Sequence, residues 1–333
     1  MYKLKQIPED FIVKEISTVQ ANNKGKYLYF KVTKRNRNTL DVVKELANRC
    51  NIKEKQIGFA GSKDKHAVTE QIISVSGVAR EKISKTNIDN VTLEFIGCGS
   101  EPINLGDLEG NHFEIVVRNL EEVKIQKTLY CENYFDEQRF SQNNKEIGKH
   151  LIKKEFGKAI ELIDNKQCNA HLAKNKNDFI GALQLLPIRL LRMYVNAYQS
   201  YLWNEAVSQY VGKKGTVVKK VMYSLGELVF IKEYFDANIP LIGFDTSTIE
   251  NKEMSGIIST IMKKEGITYH DFIIKQIPPL TLEGELRPLF CKVKNLNIGP
   301  AEKDELNPKK KKVKLSFSLP KGSYATMVIK RLF

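Results

Sequence analysis

Apolar and polar positions alternate in several short stretches near both ends of the chain, and recur at helical spacing in between. Phe11, Val13 and Glu15 alternate with Ile12, Lys14 and Ile16, which predicts a strand after Pro8. Over 26–34, Leu28, Phe30 and Val32 share one face and Tyr27, Tyr29 and Lys31 the other, the pattern of a half-buried strand with a β-favourable outer surface. Leu40, Val43, Ala47 and Cys50 predict a helix over 40–50, with Thr39 as its N-cap. Further strands are expected over 68–75, 91–96 and 113–118, and a helix over 121–130. From about 141 to 286 the pattern is mostly helical. Pro187 precedes a long amphipathic helix with Leu191, Val195, Tyr198 and Leu202 in register, and the run 247–250 has the form of a capping box for a helix ending before Gly266. Strands return over 289–293, 313–318 and 324–330.

Composition narrows the classes. A chain of 333 residues with 42% hydrophobic and 28% charged residues suits a globular protein of two domains. No apolar run approaches the ~20 residues of a membrane span, and the start of the chain has no signal-peptide pattern, so a cytoplasmic protein without membrane contact is expected. The net charge of +14, from 53 Lys+Arg against 39 Asp+Glu, suits a polyanionic partner, most often nucleic acid. Cys50, Cys98, Cys131, Cys168 and Cys291 are scattered and never spaced C-x-x-C, against a zinc site or a disulfide framework. Gly97-Cys98-Gly99 begins a dinucleotide fingerprint, but Pro102 stands where the third glycine belongs, and no phosphate-binding loop is found. Residues 308–314 carry a lysine run that reads as a basic hairpin edge, solvated or touching RNA.

The candidate chemistry lies at 57–71, where a helical pattern has ended and an extended one begins. Gly58 and Gly61 read as turn formers, and Asp64 follows between Lys63 and Lys65. A carboxylate held on a rigid loop beside a strand can serve as nucleophile or base.

The run FAGSKDKHAVTEQ resembles the signature of the TruD family of RNA pseudouridine synthases, whose catalytic aspartate falls on Asp64. Four further runs resemble that family: PEDFIVKE near the start, GNHF around Phe113, NYFDEQRF with Asp136 where glycine is usual, and LPKGSYAT near the end. The resemblance implies an α+β pseudouridine synthase fold, a mixed and largely antiparallel sheet with flanking helices, interrupted by an α/β insertion. The catalytic domain would comprise 1–140 and 287–333, and the insertion 141–286. It also implies roles for residues: Asp64 as nucleophile, Lys5 as its charge partner, Phe113 against the target base, Asn111 fixing the loop, and Arg139 on a phosphate or bracing the loop. The implied reaction isomerises uridine in tRNA, typically uridine 13, in a monomer that uses neither metal nor organic cofactor. A non-catalytic RNA-binding protein or RNA chaperone is the alternative, against which the carboxylate of Asp64 weighs, since it would only repel phosphate. An RNA methyltransferase is disfavoured by the missing glycine-rich loop.

Overall fold

Most of the alternating stretches fold as strands. The computed structural model describes every residue except Met1, Gln142, Ser247 and Thr248. The chain runs through β1 (Phe11–Ser17), β2 (Tyr27–Arg35), α1 (Thr39–Cys50), β3 (Ile57–Phe59), β4 (Val68–Val75), α2 (Arg80–Ser84), β5 (Val91–Gly99) and β6 (Leu108–Leu120). The middle holds β7 (Tyr130–Glu132), α3 (Asn144–Ile152), α4 (Phe156–Ile163), α5 (Lys166–Lys174), α6 (Phe179–Gln184), α7 (Ile188–Lys214), β8 (Val217–Tyr223), β9 (Gly226–Ile231), β10 (Asn238–Leu241), α8 (Lys252–Glu265), β11 (Glu285–Pro288) and β12 (Phe290–Lys292). The chain closes with β13 (Lys294–Lys303), β14 (Lys311–Pro320) and α9 (Ala325–Leu332). It divides into two compact units. One comprises Met1–Leu129, Lys292–Ala325 and Leu332–Phe333; the other comprises Tyr130–Cys291 and Thr326–Arg331.

The first unit is an α+β body around one mixed sheet, ordered β13-β14-β6-β1-β4-β2-β5, with β3 also paired to β4. Every neighbouring pair is antiparallel except β1 with β4. Paired residues share a face, so the register sets Phe317, Phe113, Val13, Thr69 and Lys34 in one row across β14, β6, β1, β4 and β2. Helix α1 closes part of this face, burying Val42, Val43, Leu46, Ala47 and Cys50 against Phe30, Val32, Ile73 and Val75. Side chains as fully enclosed as Phe30 and Leu46 each contribute about 1.5–3 kcal/mol. The opposite face carries ion pairs, Glu114 with Lys14 and Lys314, and Lys31 with Glu94.

The second unit is built on α7. Its residues 197–204 are all buried, so its centre is enclosed on every side rather than amphipathic. The polar groups there are satisfied: Gln199 donates to the Ile242 carbonyl, Trp203 Nε1 to the Ile239 carbonyl, and Asn204 exchanges hydrogen bonds with the Phe135 backbone.

Other expectations shift for local reasons. In α1 the buried stripe runs through Val42 and Leu46, leaving Leu40 exposed. The N-cap is Asn38, and Thr39 is already helical. Residues 121–129 are irregular, with Val123 and Ile125 half-buried at a spacing of two and charged residues around them, so no helical stripe exists. Residues 325–332 form α9, not a strand, because Ala325, Val328, Ile329 and Leu332 make a helical stripe that is buried. Tyr29 is buried beneath the segment carrying Ile103 and donates its hydroxyl to the Glu101 carbonyl, so the outer face of β2 is covered there. Gly110 and Asn111 lie inside β6; a Cβ at Gly110 would sit 2.1 Å from the Leu319 carbonyl oxygen. Of the capping-box run, Ser247 and Thr248 lie outside the described residues. Helix α8 is capped by Asn251, whose Oδ1 accepts from Met254 N–H.

Candidate active site

The loop between β3 and β4 carries Asp64 and is fixed at almost every residue. Lys63 N–H donates to Thr39 Oγ1 at 3.0 Å, and the same hydroxyl donates to Gln71 Oε1 at 3.1 Å. Gln71 Nε2 returns a hydrogen bond to the Gly61 carbonyl at 3.2 Å. Lys63 Nζ pairs with Glu15, whose other oxygen accepts from Ile72 N–H; both charged side chains are buried. Asn36 N–H donates to the Ala67 carbonyl at 3.0 Å. The two glycines matter less than their types suggest. Neither takes a positive φ. Gly58 admits the Ile103 carbonyl, which would lie 2.3 Å from a Cβ, whereas a Cβ at Gly61 would meet nothing within 4 Å. The loop is therefore held by side chains reaching it from β1, β2, α1 and β4.

Lys5 and Asp64 meet as the sequence implied. Lys5 Nζ donates to Asp64 Oδ1 at 2.8 Å, and the two side chains are 24% and 27% exposed. The other carboxylate oxygen has no hydrogen-bond partner among the described residues, which leaves it accessible on a fixed side chain. Lys5 has φ +55, a left-handed conformation that non-glycine residues avoid and that concentrates at functional sites. Reciprocal hydrogen bonds between Lys3 and Arg118 hold the chain just before it.

Lys5 Nζ also lies 4.1 Å from the Phe11 ring centroid, a cation–π contact. Phe11 packs edge-on against Phe113 at 6.1 Å, and Phe113 lies 5.7 Å from Phe317. Phe113 is 6% exposed. Asn111, two residues along the same strand face, buries an Oδ1 with no hydrogen-bond partner among the described residues, as does Thr69 its hydroxyl. Arg139 belongs to the second unit, where it donates to Ser200 Oγ at 3.2 Å. Asp136, in place of the usual glycine, has φ −82, open to any residue, and pairs with Lys330.

The residues that sequence reasoning passed over are those gripping the loop: Thr39, Gln71, Glu15 and Lys34. Lys34 had a signal. The inward alternation Leu28, Phe30, Val32 continues onto it, and it is 1% exposed. Its Nζ donates to the carbonyls of Arg37 at 2.7 Å and Asp64 at 2.8 Å. Burial pushes its pKa down to about 8, with Asp64 opposing the shift and Lys63 adding to it. Among the described residues no group of three or more His, Cys, Asp or Glu side chains could hold a metal ion. No helix among them is long and apolar enough to cross a membrane.

Comparison with known proteins gives the family. The family model described as tRNA pseudouridine synthase D (TruD) matches residues 2–170, 161–234 and 230–332. The tRNA pseudouridine synthase D of Aquifex aeolicus is 32% identical, over 99% of this chain and 98% of its own. A Methanocaldococcus jannaschii protein assigned as tRNA pseudouridine synthase D 2 is 35% identical, over 99% of this chain and 91% of its own. The crystal structure of a Methanosarcina mazei protein assigned as tRNA pseudouridine synthase D superposes with a TM-score of 0.73 at 27% identity, covering 99% of this chain and 93% of that one. Matched almost end to end by the family model and by relatives above 30% identity, this chain belongs to the TruD family of tRNA pseudouridine synthases.

Proposed function

We propose that the chain isomerises uridine to pseudouridine in tRNA, at uridine 13, with Asp64 as the nucleophile or base at the ribose. The observation that carries this reading is the Lys5–Asp64 pair, a partly exposed carboxylate on a loop fixed from four elements, in a TruD-family chain. The reaction breaks the N1–C1′ bond, turns the uracil and joins C5 to C1′, after which C5 gives up its proton and N1 takes one up. Product and substrate are isomers, so the chemistry calls on no net oxidation or hydrolysis, and we take the enzyme to work without metal or organic cofactor.

Lys5 serves as the charge partner that holds the carboxylate in place. A base taken out of its stack needs a flat apolar surface. Phe113 supplies it, and a base stacked there must displace what now covers the ring. Asn111 fixes the active-site loop, and Arg139 contacts RNA phosphate or braces the loop. The catalytic domain comprises 1–140 and 287–333 and the insertion 141–286; in support, both ends of the chain gather in the unit that holds Asp64. We take the protein to act as a cytoplasmic monomer on tRNA.

Asp64→Asn tests this. The amide keeps size and hydrogen bonding but can neither attack nor accept the proton. Tritium release from tRNA labelled at uridine C5 should fall below detection, while the Tm stays near wild type and tRNA affinity persists. Turnover within about tenfold of wild type, a barrier change of only ~1.4 kcal/mol, would remove Asp64 from the chemistry.

A further inference from the structure

We propose that Lys34 is a positioning residue for the reaction, its buried ammonium fixing the main chain of Asp64 from beneath while Lys5 fixes the carboxylate from outside. The inference rests on the reading of Asp64 as the reacting carboxylate.

Three observations carry it. Lys34 is 1% exposed, and its hydrogen-bond partners among the described residues are all main-chain carbonyls: Arg37 at 2.7 Å, Asp64 at 2.8 Å and, at the outer limit, Lys63 at 3.5 Å. A fully buried lysine is rare and is ordinarily paired with a carboxylate. Here the ammonium draws together the turn after β2 and the loop bearing Asp64. Second, its place in the sheet is fixed. Lys34 is paired with Thr69 and stands in the row that runs to Phe113, so it belongs to the face over which the proposed base surface lies. The Thr69 hydroxyl beside it is buried without a partner among the described residues, which leaves Lys34 as the polar group of that pair that acts on the loop. Third, a charge in this position is held against its solvation. Burial lowers its pKa to about 8, and Lys63 repels it, while the Asp64 charge favours it. An apolar residue at the end of the Leu28-Phe30-Val32 alternation would suit the core better. What the ammonium adds is a fixed carbonyl one bond path away from the reacting carboxylate, and displacements of about 1 Å at such a group can cost ~100-fold in rate.

The test is Lys34→Met, which keeps an unbranched apolar stem and removes the charge. Relief of a buried cation and loss of donors to the carbonyls oppose one another, so the protein should fold with a Tm within about 5 °C of wild type. With wild-type and Asp64→Asn proteins in parallel, the expected result is a kcat lowered by about 100-fold, KM for tRNA within about threefold, and partial recovery of kcat in Lys34→Gln, whose amide can still donate to a carbonyl. A kcat within about threefold of wild type in Lys34→Met overturns the proposal. So does a loss that tracks Tm and KM together, or failure of both variants to fold, since a purely structural lysine predicts these. An inactive wild type, or an active Asp64→Asn, would instead count against the reading of Asp64 and is distinguished by those parallel measurements.

Discussion

Phe113 is asked to be core and contact surface at once. At 6% exposure, between Phe11 and Phe317, it packs like any sheet residue, yet the proposed chemistry needs one of its faces. Phe113→Ala would confuse the two roles, because a buried Phe→Ala change alone costs about 3–5 kcal/mol of stability. Phe113→Leu keeps most of the apolar volume and removes the flat ring. Stacking is worth about 1–3 kcal/mol per base, so the variant should lower kcat by roughly 5- to 150-fold. Its Kd for tRNA should stay within about threefold, since stacking acts on the extruded base rather than on docking. Single-turnover kinetics beside filter binding separate the two, and wild-type kcat in Phe113→Leu would reject the stacking role. At this scale the motifs legible in the sequence led to Asp64 and Phe113 directly. Lys5 was legible by position alone. What distinguishes it from Lys3 is the left-handed backbone that aims its ammonium at Asp64, while Lys3 Nζ goes to Asn307. Backbone handedness at a lysine leaves no mark in composition or periodicity.

At the scale of elements, α1 does two jobs, and only one has a periodic signature. Its stripe of Val42, Val43, Leu46 and Ala47 closes the core. Its first residue, Thr39, follows the N-cap position at Asn38 and turns its hydroxyl to Lys63 N–H and Gln71. Thr39→Val is nearly isosteric and removes both hydrogen bonds. Stranding partly buried polar groups costs about 1–3 kcal/mol. For a chain of this size that lowers Tm by roughly 2–10 °C. Because the lost anchor is next to Asp64, kcat should fall by about tenfold as well, and Thr39→Ser should restore both. A Thr39→Val protein with wild-type kcat would show that the loop keeps its place without the hydroxyl. The strands and α1 were readable because one face of each is buried over several residues. The segment 324–330 was misread because a short apolar run fits either period; Ala325, Val328, Ile329 and Leu332 decide it only through what they pack against. The grip on the Asp64 loop comes from β1, β2, α1 and β4 together, a convergence that no local pattern encodes.

At the scale of the whole molecule, the net charge of +14 is distributed with compensation. The lysine run 308–314 is partly neutralised by acids: Lys310 pairs with Glu121, Lys312 with Glu305, and Lys314 with Glu114. Several of these carboxylates hold their protons unusually weakly. Hydrogen bonds from Lys14, then Lys314, lower the pKa of Glu114 to about 2, and those from Arg118 and Lys312 do the same for Glu305. For Asp304, burial alone would raise the value. Hydrogen bonds from Asn119 N–H, Asn307, Leu306 N–H and the buried Arg118 outweigh it and bring it to about 2. A carboxylate whose folded pKa is depressed contributes stability above its unfolded value near 4, and that contribution is lost as pH falls through the folded value. Below pH 4 the unfolded chain therefore binds more protons than the folded one, and stability must decline between about pH 4 and 2. Each proton taken up also uncovers a lysine or arginine on a chain already strongly positive, which adds repulsion to the loss. We expect the urea midpoint to be nearly flat from about pH 5 to 7 and then to fall steeply below pH 4. Asp304→Asn removes one of these groups and leaves Arg118 with Asp10 and Glu305 alone, which lowers stability at neutral pH by about 1–3 kcal/mol. Its midpoint should approach that of the wild type as pH drops toward 2, because the wild type loses there what the variant never had. Two curves that stay parallel down to pH 2 would mean that the Arg118 cluster is not what acid dismantles.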